Sequence, residues 1–143
     1  MKVLVINGPN LNRLDMRDSA LYGSLNYEQL VEYITHEASN VGFEADVRQS
    51  NDESTIIEWL HGAADSNIPV IINPAAFTHY SYAIRDAAEL VKAPVIEVHL
   101  SNPIAREEFR HTSVISGIAK GTIGGFGPHS YALALAALAQ LIK

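Results

Sequence analysis

Glu97 and His99 stand two residues apart in a β-rich run, Ile96-Glu97-Val98-His99. Side chains at i and i+2 of a strand leave the same face. A carboxylate next to an imidazole can fix its tautomer, as a general acid or base requires. Other polar groups follow other β-rich runs: Asn7-Gly8-Pro9-Asn10 after the first, Asn73-Pro74 with Thr78-His79 after the third, and Ser101-Asn102 with Arg106 and Arg110 after the fourth. Four of the six arginines fall in two pairs, Arg13/Arg17 and Arg106/Arg110. Guanidinium pairs among amides, hydroxyls and imidazoles suit a small anion. By spacing alone the arginines read equally as surface ion pairs, and Glu97 with His99 as a buried structural pair.

The elements that must position these groups alternate. Val3 to Ile6, Ala45 to Arg48, Val70 to Ile72, Val95 to Val98 and Thr122 to Ile123 are strand-like, several apolar enough to be covered on both faces. Between them, Tyr27 to Val41, Glu53 to Ala64, Tyr80 to Val91 and Pro128 to Ile142 repeat apolar residues at helical steps. Asn26 with Gln29 looks like a helix cap, and Gly42 a helix stop. Five alternations predict an α/β three-layer sandwich around a five-stranded parallel sheet; periodicity does not give the strand order, and five strands in this length most resemble the flavodoxin-like arrangement, order 2-1-3-4-5. In such sheets ligands bind beyond the carboxyl ends of the strands, where all the polar clusters would converge. The one long irregular connection, Asn7 to Leu25, reads as a lid or binding loop.

Composition narrows the chemistry. With 143 residues, 48% apolar and 18% charged, the chain can build a core as a single domain over 1–143. It has no cysteine, which excludes disulfides, thiolate metal sites and cysteine nucleophiles. A formal charge of −6 opposes nucleic acid and anionic membrane surfaces. The longest unbroken apolar stretch, in Ala132 to Ala139, is far short of the roughly 18 residues of a membrane span, and no signal peptide precedes the first strand, so a cytoplasmic protein is predicted. Phosphate-loop and nucleophile-elbow motifs are absent, and Gly124-Gly125-Phe126-Gly127 comes after the last strand rather than the first. A metal site from His79, Glu97 and His99 remains a competing reading.

These residues, in this order, make the sequence similar to the type II 3-dehydroquinate dehydratases over essentially its whole length. The motifs that carry the resemblance are Ile6-Asn7-Gly8-Pro9-Asn10-Leu11, Arg17 with Tyr22-Gly23, Arg48-Gln49-Ser50-Asn51, Asn73-Pro74 with Thr78-His79, Ala83-Ile84-Arg85-Asp86, Ile96 to Asn102, and Arg106 to His111. The resemblance implies a flavodoxin-like fold, no metal or other cofactor, and a dodecamer of four trimers. It also implies the shikimate-pathway reaction, an anti dehydration of 3-dehydroquinate to 3-dehydroshikimate through an enolate.

Roles follow by matching position. Tyr22, which nothing in the spacing singles out, would take the proton α to the carbonyl as a tyrosinate, and Arg17 would stabilise that anion on a lid at about 15–23. A free phenol ionises near pH 10, so a phenolate at neutral pH needs about 4 kcal/mol of differential stabilisation, beyond an exposed ion pair but within reach of a closed, dry site. His99 would be the general acid, with Glu97 orienting its ring, and Asn10 would position a water at the enolate oxygen. Asn73 with the backbone around Leu100 and Ser101 would receive the substrate carboxylate, and His79, Ser101 and Arg110 its hydroxyls. Arg106 would steady the closed lid, and Asp86 would reach a neighbouring subunit's site. The chain departs from the family pattern at Asp15, Ser19, Ala75 and Ser130. Asp15 introduces a carboxylate that could compete for Arg17, which leaves a non-catalytic anion-binding protein as the alternative from another class.

Overall fold

The computed structural model describes residues 1–22 and 24–143. Five strands, β1 (Lys2–Asn7), β2 (Glu44–Gln49), β3 (Val70–Asn73), β4 (Val95–His99) and β5 (Gly121–Gly124), form one parallel sheet in the order 2-1-3-4-5. This is the predicted flavodoxin-like arrangement. The helices are α1 (Ser19–Tyr22), α2 (Tyr27–Asn40), α3 (Glu53–Ser66), α4 (Tyr82–Glu89) and α5 (His129–Ile142). None among the described residues is long and apolar enough to cross a membrane.

Period-two alternation along the strands builds two apolar layers. Val3, Val5, Ile71, Ile96 and Val98 pack with residues of α2 and α5. Leu4, Ile6, Val70, Ile72 and Val95 pack with α3 and α4 on the opposite face. Glu97 lies on that second face, opposite Ile72 in the sheet register and without exposed surface. A carboxylate therefore occupies what the pattern makes a core position.

Local chemistry sets the helix ends. Asn26 and Gln29 form a reciprocal capping box at α2, and Gly42 follows the helix at φ +88°, a left-handed stop that glycine adopts without strain. The predicted helix from Tyr80 begins instead at Tyr82. Ser81 is its cap, accepting from the Ile84 amide at 3.1 Å and donating to Glu53 at 2.5 Å, which ties α4 to the first residue of α3.

The connection predicted as irregular from Asn7 to Leu25 is largely ordered. It contains a 3-10 segment at Leu11–Met16 and the single turn of α1. Leu11, Leu14 and Tyr22 are buried in the α2/α5 layer, and burying each leucine contributes about 1.5–3 kcal/mol. Apolar anchors spaced along a polar loop give it this local structure.

Gly8 joins β1 to this loop where another backbone passes close by. Its amide donates to the Asn73 carbonyl at 2.8 Å, and a Cβ built on it would lie 2.5 Å from the Pro74 carbonyl oxygen. The obstacle is backbone, so it cannot rotate away. Gly8→Ala is expected to destabilise by about 1–3 kcal/mol, as overpacking does, read as a lower urea midpoint with unchanged slope. An unchanged midpoint would show that the β1 and β3 exits are not held at contact.

Candidate active site

The exits of β1 and β3 share a buried polar link. Tyr131, from α5, donates its hydroxyl to Asn7 Oδ1 at 2.5 Å and accepts from Asn73 Nδ2 at 2.9 Å. Burial pushes the Tyr131 phenol well above its ordinary pKa, against the opposing hydrogen bond from Asn73, so it stays a neutral donor. Asn73 Oδ1 accepts from the Ala75 amide at 3.1 Å. The Asn73 amide group has a second N–H beyond the one given to Tyr131, and Asn73 lines a cavity. Ala75 sits at φ +53°, a left-handed conformation that favours glycine and costs about 1–2 kcal/mol for another residue. Asn10 is also left-handed, at φ +70°, and donates its amide to Asn51 Oδ1 at 3.0 Å, so the β2 exit helps to set it.

The alternation of β4 sends Glu97 and His99 to one face, as their spacing predicts, and His99 Nε2 meets Glu97 Oε2 at 2.5 Å. Burial opposes the charge on Glu97. Hydrogen bonds from His99, Ser116 and Thr78, with the charge of His99, outweigh that and hold its carboxyl below the usual range. A depressed folded-state pKa contributes stability that is fully present above the unfolded value near 4.5 and is lost as pH falls through the lower folded value.

Across the cavity the Arg17 guanidinium donates to the Tyr22 hydroxyl and lies 3.8 Å from the centre of its ring. Arg106 lies 5.1 Å from the same ring centre and donates to Ser101 Oγ at 3.1 Å. Asp15 takes a different partner from the one the sequence raises: it pairs with Arg13 at 3.2 Å, while Arg17 serves Tyr22.

One cavity is lined by Asn10, Arg17, Tyr22, Asn73, His79, His99, Leu100, Ser101, Arg106 and Arg110. Two predicted site residues stand elsewhere. Glu97 lies behind His99, and Asp86 is exposed on α4, paired with Arg85 at 3.0 Å. Asn7, grouped with the polar rim on sequence grounds, is wholly buried beneath it. Gly23, the last residue of the predicted lid, lies outside the described residues. No group of three metal-ligating side chains occurs among the described residues, and His79 Nδ1 is engaged by the Thr112 carbonyl at 2.8 Å. Sequence reasoning placed Thr78 at this edge without linking it to Glu97, and missed Ser113 and Ser116, because the two serines fall in an irregular segment with no periodicity to place them.

A family model described as "Dehydroquinase class II" matches residues 1–139. The 3-dehydroquinate dehydratase of Caldicellulosiruptor bescii is 52% identical over 142 residues, covering 99% of this chain and 98% of the relative. That of Halalkalibacterium halodurans is 53% identical over 138 residues, covering 96% and 95%. The crystal structure of type II dehydroquinase from Propionibacterium acnes superposes with a TM-score of 0.94 at 47% identity, covering 97% of this chain and 96% of that one. The sheet order and the polar groups at its carboxyl edge agree with what these matches show: the chain belongs to the class II dehydroquinase family.

Proposed function

We propose that this chain, a 3-dehydroquinate dehydratase of the shikimate pathway, eliminates water anti through an enolate, with Tyr22 as base and His99 as acid. The observation that carries this reading is the pair of walls around one cavity, a phenol held by Arg17 on the loop side and an imidazole held by Glu97 on the strand side. The dehydration itself follows from curated relatives that carry that name at about half identity over nearly the whole chain.

In this scheme the phenolate of Tyr22 takes the proton α to the carbonyl, and the C–H electrons move onto the carbonyl oxygen. Arg17 is the counter-ion before transfer. The enolate then collapses, the C–O bond breaks, and His99 delivers a proton so that water leaves. Proton return from Tyr22 to solvent and from solvent to His99 closes the cycle. Asn10 holds a water at the enolate oxygen. The second N–H of Asn73, with the backbone of Leu100 and Ser101, takes the carboxylate. His79, Ser101 and Arg110 take the hydroxyls; Ser101 Oγ accepts from Arg106, which leaves its own proton for the ligand. Arg106, against the Tyr22 ring, steadies the lid at about 15–23. No cofactor enters the scheme.

The single domain works in the cytoplasm, without nucleic acid or membrane partners, as a dodecamer of four trimers in which Asp86 completes a neighbour's site. The exposure of Asp86, away from its own chain's cavity, supports this.

Tyr22→Phe keeps the ring and removes the proton acceptor. Followed by the absorbance of the conjugated enone product, kcat is expected to fall by about 10²–10⁴-fold with KM changed little; near-normal turnover would contradict the base assignment. Co-expressed Asp86→Ala and Tyr22→Phe chains are expected to regain activity that neither shows alone, because mixed trimers contain complete sites. No recovery in mixed assemblies would place Asp86 outside the chemistry.

A further inference from the structure

Glu97 is held by more than His99. Its Oε1 accepts from Ser116 at 2.7 Å and Ser113 at 2.9 Å, and its Oε2 accepts from Thr78 and lies 3.0 Å from Ser113. Three hydroxyls from two separate segments thus converge on a carboxylate with no exposed surface. The residue arrangement decides which way their protons point. Ser113 Oγ accepts two backbone amides, Ile115 at 3.1 Å and Ser116 at 3.0 Å. A hydroxyl has two acceptor sites and one proton. With both acceptor sites filled, the Ser113 proton is free only to be given away; Thr78 Oγ1 at 2.7 Å and Glu97 both lie in reach, and because Thr78 gives its own proton to Glu97 Oε2, either route ends on the carboxylate.

We propose that Ser113, supported by Ser116 and Thr78, is a positioning residue that keeps Glu97 an acceptor and thereby keeps a proton on His99 Nε2, so that Nδ1 is the nitrogen that carries the proton given to the ligand and the Nε2–H tautomer is what remains once it is given. A carboxylic acid at Glu97 would need an acceptor for its own proton; Ser113 offers none, and Thr78 and Ser116 each donate to the carboxylate. An acceptor-only Glu97 requires a proton on the nitrogen facing it, which is Nε2. His99 Nδ1 has no hydrogen-bond partner among the described residues, and the ring lines the cavity. The role of Ser113 in turnover rests on the reading of His99 as the acid; its effect on the tautomer does not.

The charged and titratable groups around this cradle are few. His99 faces Glu97 from its own strand, only hydroxyls face it from the Thr78 and Ser113–Ser116 segments, and His79, Arg110 and His111 line the space beside it. None of the latter three makes a hydrogen bond to Glu97 among the described residues.

The test is Ser113→Ala in the full assembly, with Ser116→Ala as the second variant should the first fail to fold, and Ser113→Thr as the hydroxyl-keeping control. Imidazole ¹⁵N shifts of His99, read at a pH high enough that the ring is neutral, are expected to report the Nε2–H tautomer in the unaltered protein and a mixture in Ser113→Ala. Turnover in that variant is expected to fall about 10- to 100-fold, the loss of one hydrogen bond to a charged group, with KM nearly constant, an altered pH profile of kcat, and recovery in Ser113→Thr. An unchanged tautomer in both alanine variants, with kcat within twofold, would overturn the proposal. A changed tautomer with unaltered turnover would uphold the positioning and contradict the acid role of His99 instead.

Discussion

A carboxylate sealed from water at the end of a central strand is the constraint around which this site is organised. Removing an ion from water costs several kcal/mol, and burial is tolerated only where charge and hydrogen bonds offset it. Glu97 meets that condition with one imidazole and three hydroxyls. The segments that supply them are therefore not free to drift. The turn after β3 brings Thr78, and the segment after Arg110 brings Ser113 and Ser116, so one buried charge fixes two loops and the ring orientation of His99. Losing Glu97's partners would leave an uncompensated charge in a layer otherwise filled by Ile72, Ile84 and Ile115.

The opposite wall is built on another principle. Tyr22 and Arg17 belong to a loop whose order comes from buried Leu11 and Leu14 and from the phenol itself, 8% exposed. Arg17 and Tyr22 meet each other, and the Arg106 guanidinium lies against the same ring. Strand-borne groups line one side and loop-borne groups the other, so the two walls of the cavity are held in place by different means. Between the walls, the Asn7–Tyr131–Asn73 link fixes the floor, with Asn73 facing the cavity on one side and the core on the other.

Much of this is legible in the residues. Period-two and helical apolar patterns yield the strands and the layers, because those depend on burial, which sequence periodicity encodes directly; the sheet order comes from likeness to flavodoxin-like domains of this length and not from any period. The Glu97-x-His99 spacing yields a shared strand face and hence the hydrogen bond. Position at strand ends yields the convergence of Asn10, Asn73, His99, Ser101 and Arg110. Tyr22 is different: no spacing distinguishes it, and only the ordered resemblance singles it out. Ser81 as a cap, the order within the Asn7 to Leu25 connection, and the choice of Arg13 by Asp15 depend on tertiary proximity that local pattern does not carry. The hydroxyl cradle is invisible for the same reason, since Glu97 and Ser113 are brought together by a crossover and not by any helical or strand period.

The site holds together in this way only if Glu97 is charged inside the protein. Carboxyl ¹³C shifts of glutamate-labelled protein, with the Glu97 signal assigned by its absence in Glu97→Gln, measure this directly across a pH titration. The account predicts an ionised signal that persists as pH falls through 4.5 and titrates only below it, or disappears with unfolding first. A protonated Glu97 signal at neutral pH, or a titration at or above the ordinary carboxylate value, would contradict it.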